Sequence, residues 1–167
     1  YGADWTLTQY FVWYYLNYGK LFRPQDIFAG NELSALEAID AGVTTTVDWS
    51  HGLTTPDHAN AALDALERSP GRFVFAYGNI QAAPWEWSTG ADFQQLMRER
   101  QSHSNPMLSF QMAFDVLGDP EFNERKAFEV ANDLGLSVTT HAGVWGATND
   151  DGIRLMYENG FMKPGNV

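Results

Sequence analysis

The chain has 167 residues, a formal net charge of -11 and 44% hydrophobic residues, which is enough apolar material for one folded domain and is neither membrane-like nor disordered. Ten Lys and Arg against 21 Asp and Glu leave no basic face to neutralise phosphate, which argues against nucleic acid and against an anionic membrane surface. No cysteine is present, so disulfides and thiolate zinc sites are excluded and any metal has to be held by His and carboxylate.

The longest apolar run, Tyr10 to Leu16, is shorter than the ~20 residues that cross a bilayer, and it lacks the charged start and cleavage site of a signal peptide. A cytoplasmic location is expected, although a chain without disulfides is also compatible with secretion. The sequence begins at Tyr1 and not at Met, which leaves a targeting segment upstream open. Trp5, Tyr10, Phe11, Trp13, Tyr14, Tyr15 and Tyr18 form a block that is apolar nearly all round a helix. Such a block has to be covered by protein, by ligand or by another subunit, and the rest of an enzyme is the expected cover.

Pro24 to Ala41 reads as a helix: Pro24 suits the first turn, Leu33, Leu36 and Ile39 make a stripe, and Gly42 closes it. Val43 to Trp49, rich in β-branched residues, reads as a strand. Thr55 and Pro56 cap the next helix, whose face carries Ala59, Leu63 and Leu66 until Ser69, Pro70 and Gly71 break it. Arg72 to Tyr77 is a second strand. After a loop with Pro84, Trp85 and Trp87, a polar helix spans Ala91 to Gln101, and Met107 to Val116 is a third strand. Asp119, Pro120 and Glu121 announce a helix with Ala127, Val130, Ala131 and Leu134 inside and Gly135 at its end. Leu136 to Thr140 is the fourth strand. Thr148 or Asn149 caps a last helix through Ile153, Leu155, Met156 and Tyr157, closed by Gly160, and a turn follows at Lys163 to Val167.

Four alternations of strand and helix with short connections give an α/β fold with a parallel sheet and right-handed crossovers. Two architectures share that pattern, the open doubly wound sheet and the (β/α)₈ TIM-type barrel. Neither G-x-G-x-x-G nor G-x-x-x-x-G-K-[ST] occurs, so the nucleotide-binding form has no support in the sequence. A whole barrel takes ~250 residues, so a barrel containing this chain would draw about half its wall from it. No composition shift divides residues 1–167, which form a single, partial domain on this reading.

In parallel α/β folds chemistry collects at the C-terminal strand ends. Those ends are Asp48 to His51, Tyr77 to Asn79, Phe114 to Asp115 and His141 to Gly143. His141 follows an apolar and β-branched strand and precedes small residues, the placement of a metal-binding imidazole; a second acceptor would then fix its tautomer. The competing account is a histidine hydrogen-bonded at a strand end with no ligand role. Asp48 and His51, three apart, are candidates for substrate orientation or proton transfer; equally, Asp48 caps a turn and His51 is a satisfied loop residue. His58, in a helical first turn, reads as surface or capping, and His103 as solvated. Asp119, Glu121 and Glu124 read as compensation of a helix dipole. Trp85, Trp87 and Trp145 follow strands, where aromatics line organic substrate pockets or plug a core.

The run A-L-E-A-I-D-A-G-V-T-T-T-V-D-W-S-H at residues 35–51, with G-L-S-V-T-T-H-A-G at 135–143, resembles the cytosine deaminase and chlorohydrolase branch of the amidohydrolase superfamily. The resemblance extends over nearly the whole chain. It implies a (β/α)₈ barrel of which this chain supplies roughly strands 2 to 5. It implies one zinc or iron ion whose ligands are an H-x-H pair on the first strand, a His on the fifth, a His on the sixth and an Asp on the eighth. Only the fifth-strand position maps here, onto His141. The implied chemistry is metal-assisted hydrolysis, in which the ion lowers the pKa of its water.

Deaminases of this group carry a proton-shuttling Glu three residues after that histidine, where this chain has Val144. The departure leaves amide hydrolysis, dehalogenation, or deamination with a shuttle elsewhere; His51 is the nearest candidate, with Asp48 or Asp115 behind it. The resemblance thus points to a hydrolase acting on a C–N or C–Cl bond of a cyclic or aromatic small molecule, with His51 and Trp145 against the substrate. Two other accounts stay open: a non-catalytic α/β small-molecule-binding module with a structural His141, and a barrel enzyme using Asp48 and Asp115 as acid and base. Open sheet edges make a homo-oligomer a reasonable expectation.

Overall fold

The computed structural model of the protein describes residues 4–78, 90–142 and 151–166. A short helix α1 (Leu7–Tyr10) runs into a π-helical segment, Phe11–Tyr18, and then a 3₁₀ turn, Gly19–Leu21. Helix α2 (Pro24–Asp40) leads to strand β1 (Thr46–Ser50), α3 (Pro56–Arg68) to β2 (Phe73–Gly78), α4 (Ala91–Ser102) to β3 (Leu108–Asp115), α5 (Arg125–Asp133) to β4 (Ser137–His141), and α6 (Gly152–Glu158) follows. The described sheet is parallel and its order, β1-β2-β3-β4, is the chain order.

Alternation along the strands separates two faces. Asp48, Phe75 and Phe110 stand in one register row, and Ser50, Tyr77, Met112 and Val138 in another. With Phe73, Leu108 and Phe114 they form the helix side. It is packed by Ala59, Leu63 and Leu66 of α3, Phe93 and Met97 of α4, and Ala127, Phe128 and Ala131 of α5. Phe128 lies edge-on to Phe114 at 4.8 Å and stacks on Phe161 at 4.5 Å. The opposite face carries Trp49 beside mostly small and polar residues, in the rows Trp49, Ala76, Gln111, Ser137 and Gly78, Ala113, Thr139, ending at the pair Asp115 and His141.

That second face is concave. β1 and β4 are the margins of the sheet, and in a flat sheet three strand spacings would hold them ~14 Å apart. The rings of Trp49 and His141, one from each margin, nevertheless have centroids 4.3 Å apart. The sheet therefore bends toward the side away from its helices, and both strand ends stand at one rim.

Several elements depart from the sequence expectation for identifiable reasons. β1 begins at Thr46 and not at Val43, because the Val43 N–H is taken by the Ala38 carbonyl in the turn that ends α2, with Gly42 at φ 82°. On α2 the buried residues are Ile27 and Ala35, whereas Leu33 and Leu36 are 59% and 47% exposed. The helix expected to start at Asp119 starts at Arg125. Asp119 instead closes a turn, its carboxylate accepting from the Glu121 N–H and the Asn123 side chain, and Phe122 sits at φ 47° with its ring in the core. Glu124 is not a surface counter-charge: it is 1% exposed and accepts the Leu117 N–H at 3.0 Å. The N-terminal aromatics stay partly uncovered within this chain, Trp13 at 46% and Tyr18 at 51%. Thr148 and Asn149, expected to cap the last helix, lie outside the described residues, and α6 follows Asp151.

Candidate active site

His141 ends β4 and is the register partner of Asp115 at the end of β3. Neighbouring residues on parallel strands point to the same face, and here the two meet: His141 Nδ1 lies 3.0 Å from Asp115 Oδ1. An ionised carboxylate only accepts, so Nδ1–H donates and the lone pair rests on Nε2. The backbone pins the same point, since the Val116 N–H donates to the His141 carbonyl at 3.0 Å. The imidazole is 45% exposed while the carboxylate is 12% exposed, so the ring is held from behind and open in front.

His51, just past β1, comes to the same rim. Its ring is 8° from parallel to that of His141, with centroids 5.8 Å apart. Trp49 lies 4.2 Å from His51 and 4.3 Å from His141. Imidazoles on opposite faces of the indole would stand much farther apart, so the two lie side by side over Trp49. Tyr15 packs edge-on against His51 at 5.3 Å. Burial drives the His51 pKa down to about 4, helped by its neighbour His141 and opposed by Asp115, so the ring is uncharged at neutral pH. Among the described residues its ring nitrogens make no hydrogen bond. Burial likewise pushes the Tyr15 hydroxyl up, with Tyr10 adding to the effect.

Gly78 places the His51 turn. A Cβ there would stand 2.8 Å from the Ser50 carbonyl carbon and 3.3 Å from the His51 Cα, and closer still to the Ser50 oxygen. Only a residue without a side chain lets the chain leaving β1 pass that close to the end of β2.

Asp48 does not join this group. It belongs to the helix-side row and accepts from Asn31 Nδ2 of α2 at 2.9 Å. Burial raises its carboxyl to about 6, against the opposing hydrogen bonds from Ser50 and Asn31. A paired role with His51, or with Asp115 as acid and base, is therefore not what the structure assembles. His58 is buried, not a surface residue: Nε2–H donates to the Phe22 carbonyl at 2.8 Å and Nδ1 accepts from Thr55 Oγ1 at 2.7 Å, tying α3 to the segment before α2. His103 is exposed at the end of α4. Trp85, Trp87, Trp145 and Val144 lie outside the described residues.

Sequence reasoning gave no role to Trp49 or Tyr15. Trp49 was within reach of period-2 alternation, which puts residues 49 and 51 on one face and 48 and 50 on the other. The Tyr15 contact joins segments far apart in the chain and leaves no local signal.

As a metal centre the donor set is partial. The chain provides one oriented imidazole with a carboxylate behind it and a second imidazole beside it, donors that suit a zinc-like ion. Among the described residues no three His, Asp or Glu stand close enough to hold an ion.

No protein-family model matches the chain, and no curated protein sequence matches it. A search of solved structures finds a likeness to a mutant of atrazine chlorohydrolase TrzN from Arthrobacter aurescens TC1, solved with zinc and atraton. The match has a TM-score of 0.57 at 18% identity, over 93% of this chain. The chain spans 39% of the length of the chlorohydrolase. The two share a fold over that stretch. No described helix is long and apolar enough to cross a membrane.

Proposed function

We propose that this chain forms part of the wall of a (β/α)₈ barrel in a metal-dependent hydrolase acting on a C–N or C–Cl bond of a cyclic or aromatic small molecule. The observation that carries the proposal is His141 at the concave rim with Nδ1 engaged by Asp115 and Nε2 open. The chain-ordered parallel sheet and its likeness to part of a zinc-containing chlorohydrolase support the same reading.

Asp115 fixes the tautomer and the orientation of His141, so that the Nε2 lone pair meets a divalent ion without a rotamer search. Zinc or iron, when bound, supplies the Lewis acidity that brings a water's pKa toward neutral. Trp49 packs against both imidazoles and keeps bulk water from that side. His51 stays uncharged beside them, so it adds no positive charge to repel a cation.

Metal analysis and turnover of the full-length protein test this. About one divalent ion per chain is expected, with hydrolysis of a chlorinated or aminated heteroaromatic compound, and His141→Ala should lose both. Metal-free protein whose His141→Ala variant binds its small molecule unchanged would instead identify a non-catalytic binding module.

A further inference from the structure

We infer that Glu124 is a positioning residue for His141, acting through the stretch of chain past β3 that carries Asp115. This rests on the reading of His141 above and goes beyond it by adding the group that holds Asp115 in place.

Three consecutive residues at the end of β3 are each tied down. The Asp115 carboxylate accepts from His141 Nδ1 at 3.0 Å, the Val116 N–H donates to the His141 carbonyl at 3.0 Å, and the Leu117 N–H donates to Glu124 Oε1 at 3.0 Å. Strand pairing ends at the Asp115 and His141 pair, so Leu117 is held by a side chain and not by the ladder. Glu124, the residue before α5, reaches back seven positions to do this and closes the loop on itself. Phe122 anchors the same loop from inside the core, where its ring stacks on Phe128 at 5.8 Å and on Phe161 at 5.9 Å. Each residue has only two soft backbone dihedrals. With Leu117 fixed on one side and β3 on the other, Asp115 has little freedom to leave the His141 ring.

Packing alone does not explain a carboxyl at this place. Glu124 is 1% exposed, and its Oε2 is buried with no hydrogen-bond partner among the described residues. Burying a polar oxygen without a partner is unfavourable. The carboxyl is kept in spite of that, and the contact it makes leads to the group that orients the metal-facing imidazole.

Histidine-selective ¹⁵N spectra of the zinc-free full-length protein, at one fixed alkaline pH, test the inference through the position of the proton on the His141 ring. Wild type should carry it on Nδ1. Glu124→Gln keeps an acceptor of the same reach and should leave the ring signals unchanged. Glu124→Asp is a methylene too short, and Glu124→Met has similar length but no oxygen. Each should shift the His141 tautomer ratio and weaken zinc binding by about tenfold. Leu66→Ala, a core truncation on α3, controls for general destabilisation and should leave the ring signals as in wild type. The inference is overturned if folded Glu124→Asp or Glu124→Met keeps the wild-type ring signals, or if Glu124→Gln or Leu66→Ala moves them as far. Failure of both Glu124→Asp and Glu124→Met to fold makes Glu124 a purely structural residue and overturns it too. A wild-type proton on Nε2 overturns the reading of His141 itself.

Discussion

Asp48 and His51 are three residues apart, an odd interval that extended backbone converts into opposite faces of the sheet. Asp48 ends among helix-side residues, bonded to Asn31, while His51 joins Trp49 and His141 on the concave side. Burial without a cation raises the Asp48 carboxyl from 3.8 to about 6. The folded state therefore binds that proton more tightly than the unfolded chain does. Its contribution to stability is complete below pH 3.8 and is lost as pH rises through about 6. Asp48→Asn keeps an accepting oxygen for Asn31 and removes the charge. Thermal or urea melts should find the variant more stable than wild type by about 2 kcal/mol near pH ~8 and no more stable near pH ~3. A variant that loses stability at the higher pH would show that the ionised carboxylate is needed where it is.

At the level of elements, most of the secondary structure was legible in the chain. Thr55 and Pro56 cap α3, and Ala59, Leu63 and Leu66 line its inner face, as their spacing says they must. The α5 face of Ala127, Val130 and Ala131 is equally direct. What escaped was set by tertiary contacts. Leu33 and Leu36 have helical spacing, but α2 turns Ile27 and Ala35 inward against its neighbours. The Asp119-Pro120-Glu121 signal is a genuine turn signal, but burial of the Phe122 ring and Glu124 delays the helix to Arg125. His141 is marked by its strand-end position together with the family resemblance of residues 135–143, whereas Trp49 beneath it depends on the curvature of the whole sheet. Gly78 couples two elements. Gly78→Val forces the Ser50 to His51 backbone away from β2, so the ring current that Trp49 exerts on His51 should change in proton spectra. Unchanged His51 shifts in a folded variant would contradict the close approach as the device that places this turn.

Across the described residues, the sheet keeps chain order, helices α2 to α5 lie on one side, and its two margins approach each other at the open rim. The tail extends this logic: Asn166 Oδ1 accepts the Val138 N–H at 2.8 Å on the outer edge of β4, where the next strand of a chain-ordered parallel sheet would pair. A curved wall with its polar groups gathered at the C-terminal strand ends is the arrangement that lets residues distant in sequence address one site. Zinc-edge anomalous diffraction from crystals of the full-length protein grown with zinc tests this most directly. The account predicts an anomalous peak ~2.1 Å from His141 Nε2, with Asp115 still accepting from Nδ1. A peak remote from His141, or His141 Nδ1 bound to the metal with Asp115 displaced, would contradict it.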